Sequence, residues 1–155
     1  MEENNQTQFA QFEIKNIERR KLLPLWIKVF CWIFMLMALA SIVCLIFGAF
    51  GNSADLAFYG FETNKPLTLI GIFIISIMLL KGFSAYALWF EKDYAIKLCK
   101  IDAILGIAIC VFAMFIMPFI KENSDFSIRL EIALLIPYFM KLNKIKNEWE
   151  NLGTK

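Results

Sequence analysis

The sequence predicts an all-α fold: a polytopic transmembrane helix bundle of four spans, with both ends in the cytoplasm. Three observations carry that expectation. The 155-residue chain contains several apolar runs of membrane-crossing length. Its composition is too apolar for one soluble core. Basic residues gather on alternate connections between the runs. Apolar residues make up 59% and charged residues 19%, against about 45–50% and about 25% in soluble domains. The 16 phenylalanines exceed what a single core of this size buries, so the excess needs an apolar surrounding, the lipid bilayer.

Residues 1–21 form a polar N-terminal segment. Within it Phe9, Phe12, Ile14 and Ile17 alternate with Glu13, Lys15, Arg19 and Arg20, the pattern of a short interfacial helix held by basic residues to anionic lipid. Glu2, Glu3 and Glu13 do not suit a secretory signal, and the first span is expected to act as an uncleaved anchor. The transmembrane domain occupies residues 22–142, with spans at 29–50, 67–90, 103–120 and 127–142. The second is interrupted only by Lys81. Leu, Ile, Phe and Val each gain roughly 0.3–0.6 kcal/mol at mid-bilayer and a lysine costs roughly 2.5–3.5, so this run inserts in spite of its charge. The fourth is weaker, carrying Arg129, Glu131 and Pro137. It either crosses because the other helices receive it, or stays re-entrant or interfacial. For the connection at 51–66 two readings stay open, a plain loop or a short helix begun at Ser53 or Asp55, with Phe58 to Phe61 on the outer interface.

Orientation follows from the basic flanks. Lys15, Arg19, Arg20, Lys21 and Lys28 precede the first span, and Lys65 is alone in the next connection. Lys92, Lys97 and Lys100 follow the second span, and Lys141, Lys144, Lys146 and Lys155 follow the fourth. That alternation places both termini inside. Trp26, Trp89 and Tyr94 fall at the cytoplasmic boundary, where amphipathic rings settle.

Little in the sequence carries chemistry. Histidine is absent, which removes the usual base near neutral pH and the commonest zinc ligand. Cys31, Cys44, Cys99 and Cys110 make no Cys-x-x-Cys pair, so no metal or cofactor is expected. A net charge of +2 without a basic stripe speaks against nucleic acid. Small residues at Ala40, Cys44 and Gly48, and at Ala103, Gly106, Cys110 and Ala113, let helix backbones approach closely, within the bundle or between two copies. The tail at 143–155 continues a heptad-like seam through Leu135, Tyr138, Leu142, Ile145, Trp149 and Leu152. It is read as a projecting rod or as a stub on the lipid surface. Lys81 is an ionisable residue inside a strong span, by default a functional candidate facing the bundle interior. An interior but purely structural role, and snorkelling, are the alternatives. Asp102 is expected to lie at long reach, with Ser84, a carbonyl or a water serving as well.

The segments Arg20-Lys21-Leu22-Leu23-Pro24-Leu25-Trp26, Ala87-Leu88-Trp89-Phe90-Glu91-Lys92-Asp93-Tyr94-Ala95 and Ile136-Pro137-Tyr138 resemble a group of uncharacterised small four-helix membrane proteins from bacteria of the Bacteroidetes type. The resemblance implies a bacterial cytoplasmic membrane and carries over no site. The function expected is a non-catalytic scaffold, accessory or regulatory subunit, with the lipid bilayer, a second copy or another membrane protein as partner. The alternative is a small transporter or channel subunit that uses Lys81.

Overall fold

A computed structural model describes residues 19–115 and 130–152. The N-terminal segment up to Ile17, the end of the third apolar run, Arg129 and Lys155 lie outside the described residues. A 3-10 turn, Arg19–Leu22, leads through Pro24 into α1, Leu25–Ala49. Strands β1, Leu56–Phe58, and β2, Phe61–Thr63, form an antiparallel hairpin. Helices α2, Leu69–Trp89, α3, Ala95–Phe115, and α4, Leu130–Asn151, complete the described chain. The fold is all-α apart from the hairpin. Helices α1, α2 and α3 are each long and apolar enough to cross a membrane, the mark of a multi-pass membrane protein.

Two boundaries depart from expectation. α3 begins at Ala95 rather than at residue 103, because Lys97, Lys100 and Asp102 interrupt the apolar run without interrupting the helix. α4 runs without a break from the fourth apolar segment through the tail, with Pro137 inside it. The connection at 51–66, expected as a loop or short helix, is the hairpin. Its Phe58–Phe61 pairing leaves a two-residue loop, Tyr59 and Gly60, with φ of 50° and 89°. Positive φ at both positions is the type I′ geometry that matches strand twist.

α1 and α2 end alike. After α1, Gly51 (φ 81°) donates to the Gly48 carbonyl and Asn52 to that of Phe47. After α2, Glu91 (φ 56°) donates to Leu88 and Lys92 to Ala87. Both are Schellman caps, and a left-handed residue there is normally glycine. Glu91 keeps the conformation because it is gripped. Its carbonyl accepts from Arg19 Nη1 at 2.8 Å, and its carboxylate accepts from the Arg20 backbone N–H and Nε at 3.2 and 3.1 Å. Arg19 also pairs with Asp93 at 2.7 Å. Trp149 donates from its indole to the Lys92 carbonyl at 3.2 Å, and the Arg19 guanidinium lies 5.6 Å from its ring. The 3-10 turn, the α2–α3 turn and the end of α4 therefore meet at one end of the bundle.

α1 packs on α2, and α3 on both α2 and α4. The α1 seam runs Ile27, Cys31, Phe34, Ala38, Ser41, Leu45, Gly48, in alternating steps of four and three, and none of these is exposed. Gly48 lies under the Pro66 ring, and Cys44 borders the cluster around Ile74 and Ile75. Ala40 departs from the reading of packing within the bundle: it lies outside this seam and is exposed. On α3, Ala103, Gly106, Cys110 and Ala113 are buried as one face. The α4 seam is also turned inward. Leu135, Tyr138, Leu142, Ile145 and Trp149 are buried and Leu152 half-buried, so this part of the tail neither projects as a rod nor lies as a stub.

The tightest helix contact generates a prediction. A methyl group on Gly82 would overlap the Cβ of Ala38 and press on the Phe34 carbonyl. Gly82→Ala should lower stability in detergent by about 1–3 kcal/mol, the usual range for overpacking, and adding Ala38→Gly should recover most of it. Melting curves that leave Gly82→Ala indistinguishable from the parent would mean α1 yields freely.

Candidate functional site

Lys81 and Asp102 meet in the middle of the bundle. Counting from the α2–α3 turn explains how. Lys81 is eight residues before the end of α2 and Asp102 seven after the start of α3. At 1.5 Å per residue in antiparallel neighbours these are depths of about 12 and about 10.5 Å, so the two stand nearly level. Nζ lies 3.0 Å from Oδ2, and the residues are 3% and 2% exposed. Two expectations fall here. Lys81 does not snorkel, and Asp102 is within direct reach because α3 starts two turns before it. Ser84 does not serve the ammonium, since its hydroxyl donates to Lys81's own carbonyl at 2.9 Å.

Two rings cover the ammonium. Nζ lies 5.0 Å from the Phe34 centroid and 5.5 Å from that of Tyr59, within cation–π range. Tyr59 comes from the hairpin, whose loop drives the ring into the bundle until it is 3% exposed. Gly106 makes this possible, because a Cβ there would fall 2.7 Å from the Tyr59 hydroxyl. Burial pushes the Tyr59 phenol up, and the Asp102 charge adds to the effect, so the hydroxyl stays protonated.

Beside the pair, α1 and α4 do not close. A cavity of about 110 Å³ lies between Trp26, Phe30 and Phe34 on α1 and Glu131, Leu134, Leu135 and Tyr138 on α4, with Phe58 and Tyr59 from the hairpin and Lys81 from α2 also lining it. Trp26 and Tyr138 meet edge to face at 6.4 Å. The arrangement supplies a mainly aromatic slot whose lining includes Lys81, Glu131 and the polar-tipped Trp26, Tyr59 and Tyr138, beside a charge pair neutral as a whole. Of the residues singled out in the sequence, the structure brings Lys81, Trp26, Phe58, Glu131, Leu135 and Tyr138 to this site, with Gly106 against Tyr59. Ala103 and Cys99 pack in the neighbouring core cluster, together with Leu142, Ile145 and Trp149. Cys110 packs on Tyr59 and Leu135. Asp102, expected at long reach, pairs directly with Lys81, and nothing in the sequence reading named Tyr59 or Phe34 as its neighbours. Counting residues from the middle turn would have found Asp102, and the Tyr-Gly step between two short β-prone runs would have signalled the hairpin.

No family model, no curated protein and no solved structure matches this chain.

Removing one partner of a buried ion pair strands the other, at roughly 3–5 kcal/mol, whereas replacing both with apolar residues is near neutral or stabilising. Lys81→Met alone should therefore be strongly destabilised in thermal unfolding followed by size exclusion. Lys81→Met with Asp102→Leu should return close to the parent. A single variant as stable as the parent would show that the pair does not form in the bilayer.

Proposed function

We propose that the chain is a four-span protein of a bacterial cytoplasmic membrane, N-in and C-in, acting as a non-catalytic accessory or regulatory subunit. One observation carries the reading: the charges buried at mid-bundle neutralise each other and lead nowhere. Among the described residues the buried polar side chains are Arg19, Ser41, Lys81, Ser84 and Asp102. Both serines are turned onto carbonyls of their own helices. Conduction and transport need successive polar groups lining a path, and this set makes none. The four-span topology is supported by the basic flanks and by the clamp that brings Arg19, Glu91 and Trp149 to one end. A partner is supported by the wide apolar face of α1, where Leu36, Leu39, Val43 and Phe47 are all exposed. The second reading, a transporter subunit using Lys81, is favoured by the cavity that reaches the ammonium.

Purification in mild detergent at native expression, followed by mass spectrometry, should recover a stoichiometric partner or a defined self-oligomer. A solitary monomer whose reconstitution gives Lys81-dependent solute flux would overturn the subunit reading in favour of transport. Topology is tested separately, with single cysteines at positions 64 and 151 in a cysteine-free background. Reagent added outside should label position 64 and spare position 151. Labelling of both would remove α4 as a span.

A further inference from the structure

The cavity between α1 and α4 is shaped and charged for one kind of occupant. We propose that it binds the head of a neutral lipid-soluble quinone with a single ring, whose tail leaves sideways between the two helices into the bilayer. This rests on the reading of α4 as a span.

Size sets the first limit. Drug-sized ligands occupy roughly 300–1,000 Å³, and a dry apolar cavity of about 150 Å³ holds benzene. At about 110 Å³ with one side open, the slot is smaller than that, so a single ring would sit partly in the opening with its substituents outside, and a fused system is excluded.

Charge sets the second. The Lys81–Asp102 pair is already balanced at 3.0 Å. An anionic head would add an uncompensated charge in an apolar slot, and Glu131 on the lining repels it further. A cation would be drawn to Glu131 but repelled by the ammonium of Lys81, which lines the same slot. A neutral head avoids both repulsions.

The remaining features select the functional group. An ammonium has three N–H donors, and among the described residues Lys81 gives one hydrogen bond, to Asp102. Its other directions meet the Phe34 and Tyr59 rings at 5.0 and 5.5 Å, contacts weaker than a bond to a carbonyl oxygen. A quinone carbonyl would accept there. Its flat ring would stack among Phe30, Phe34, Tyr59 and Tyr138, where an alkyl chain gains no such geometry. The inference concerns binding and requires no electron transfer.

The test uses the full chain in nanodiscs with an azido-ubiquinone photoprobe, followed by peptide mapping. Labelling should be saturable and fall on residues 25–35 and 131–138. A one-isoprene ubiquinone should compete it away, and decanoic acid should not. Lys81→Met with Asp102→Leu, which keeps the site neutral, should weaken competition by about tenfold, the effect of one charge-assisted hydrogen bond. Leu134→Trp fills the slot from a side chain that is 52% exposed; it should abolish saturable labelling with the melting temperature unchanged. Labelling spread over the exposed face of α1, equal competition by decanoic acid, or undiminished binding in the double variant would each overturn the proposal. A protein with position 151 inside and no saturable site sinks the quinone reading alone. Position 151 outside sinks the topology and the quinone reading together.

Discussion

An ammonium and a carboxylate held 3.0 Å apart inside an apolar bundle constrain most of what surrounds them. Each ion alone would cost several kcal/mol to keep from water, and their attraction compensates only when the geometry is close. α2 and α3 must therefore stand level at these positions, which fixes the length of the turn between them. Gly82, next to Lys81, brings α1 near enough for Phe34 to cover the ammonium. Gly106 opens α3 so that Tyr59 covers it from the other direction. The small residues thus serve the charge pair as much as they serve helix packing.

Backbone strain appears where these demands are met. Tyr59 and Glu91 are the non-glycine residues with positive φ among those described, a conformation that costs on the order of 1–3 kcal/mol. Each is held by its own side chain, Tyr59 by burial between α3 and α4 and Glu91 by the two arginines. The first seals the pair from the hairpin side. The second ties the start of the described chain to the turn that sets the depth of Lys81 and Asp102.

Much of the architecture was legible in the sequence. The apolar runs gave α1 and α2 to within a few residues, because hydrocarbon depth and helix length coincide there. α3 was read short, since hydropathy marks where lipid begins and not where a helix begins. Lys81 is buried and faces the bundle interior, while the long reach expected for Asp102 follows from that same error. The heptad seam from Leu135 to Trp149 was visible, but spacing alone does not say which surface receives it; here it is the chain's own core. Ala40 shows the converse. Its step of four to Cys44 satisfied the small-residue pattern while the seam passed through Ala38 and Ser41. The hairpin was hidden because three-residue strands offer too few positions for alternation to stand out.

The separation of 21 residues between Lys81 and Asp102 has a consequence in time. During synthesis at roughly 5–20 residues per second, Lys81 reaches the insertion site about one to four seconds before the residue that neutralises it. A lone lysine at mid-bilayer is unfavourable by roughly 2.5–3.5 kcal/mol, a cost that the apolar residues of α2 outweigh on insertion and that Asp102 relieves once α3 stands beside it. The pair therefore closes only after both helices are in place. The Glu91 turn lies between the two charges, so Arg19 and Arg20, made long before it, can close on it only after α2 is complete.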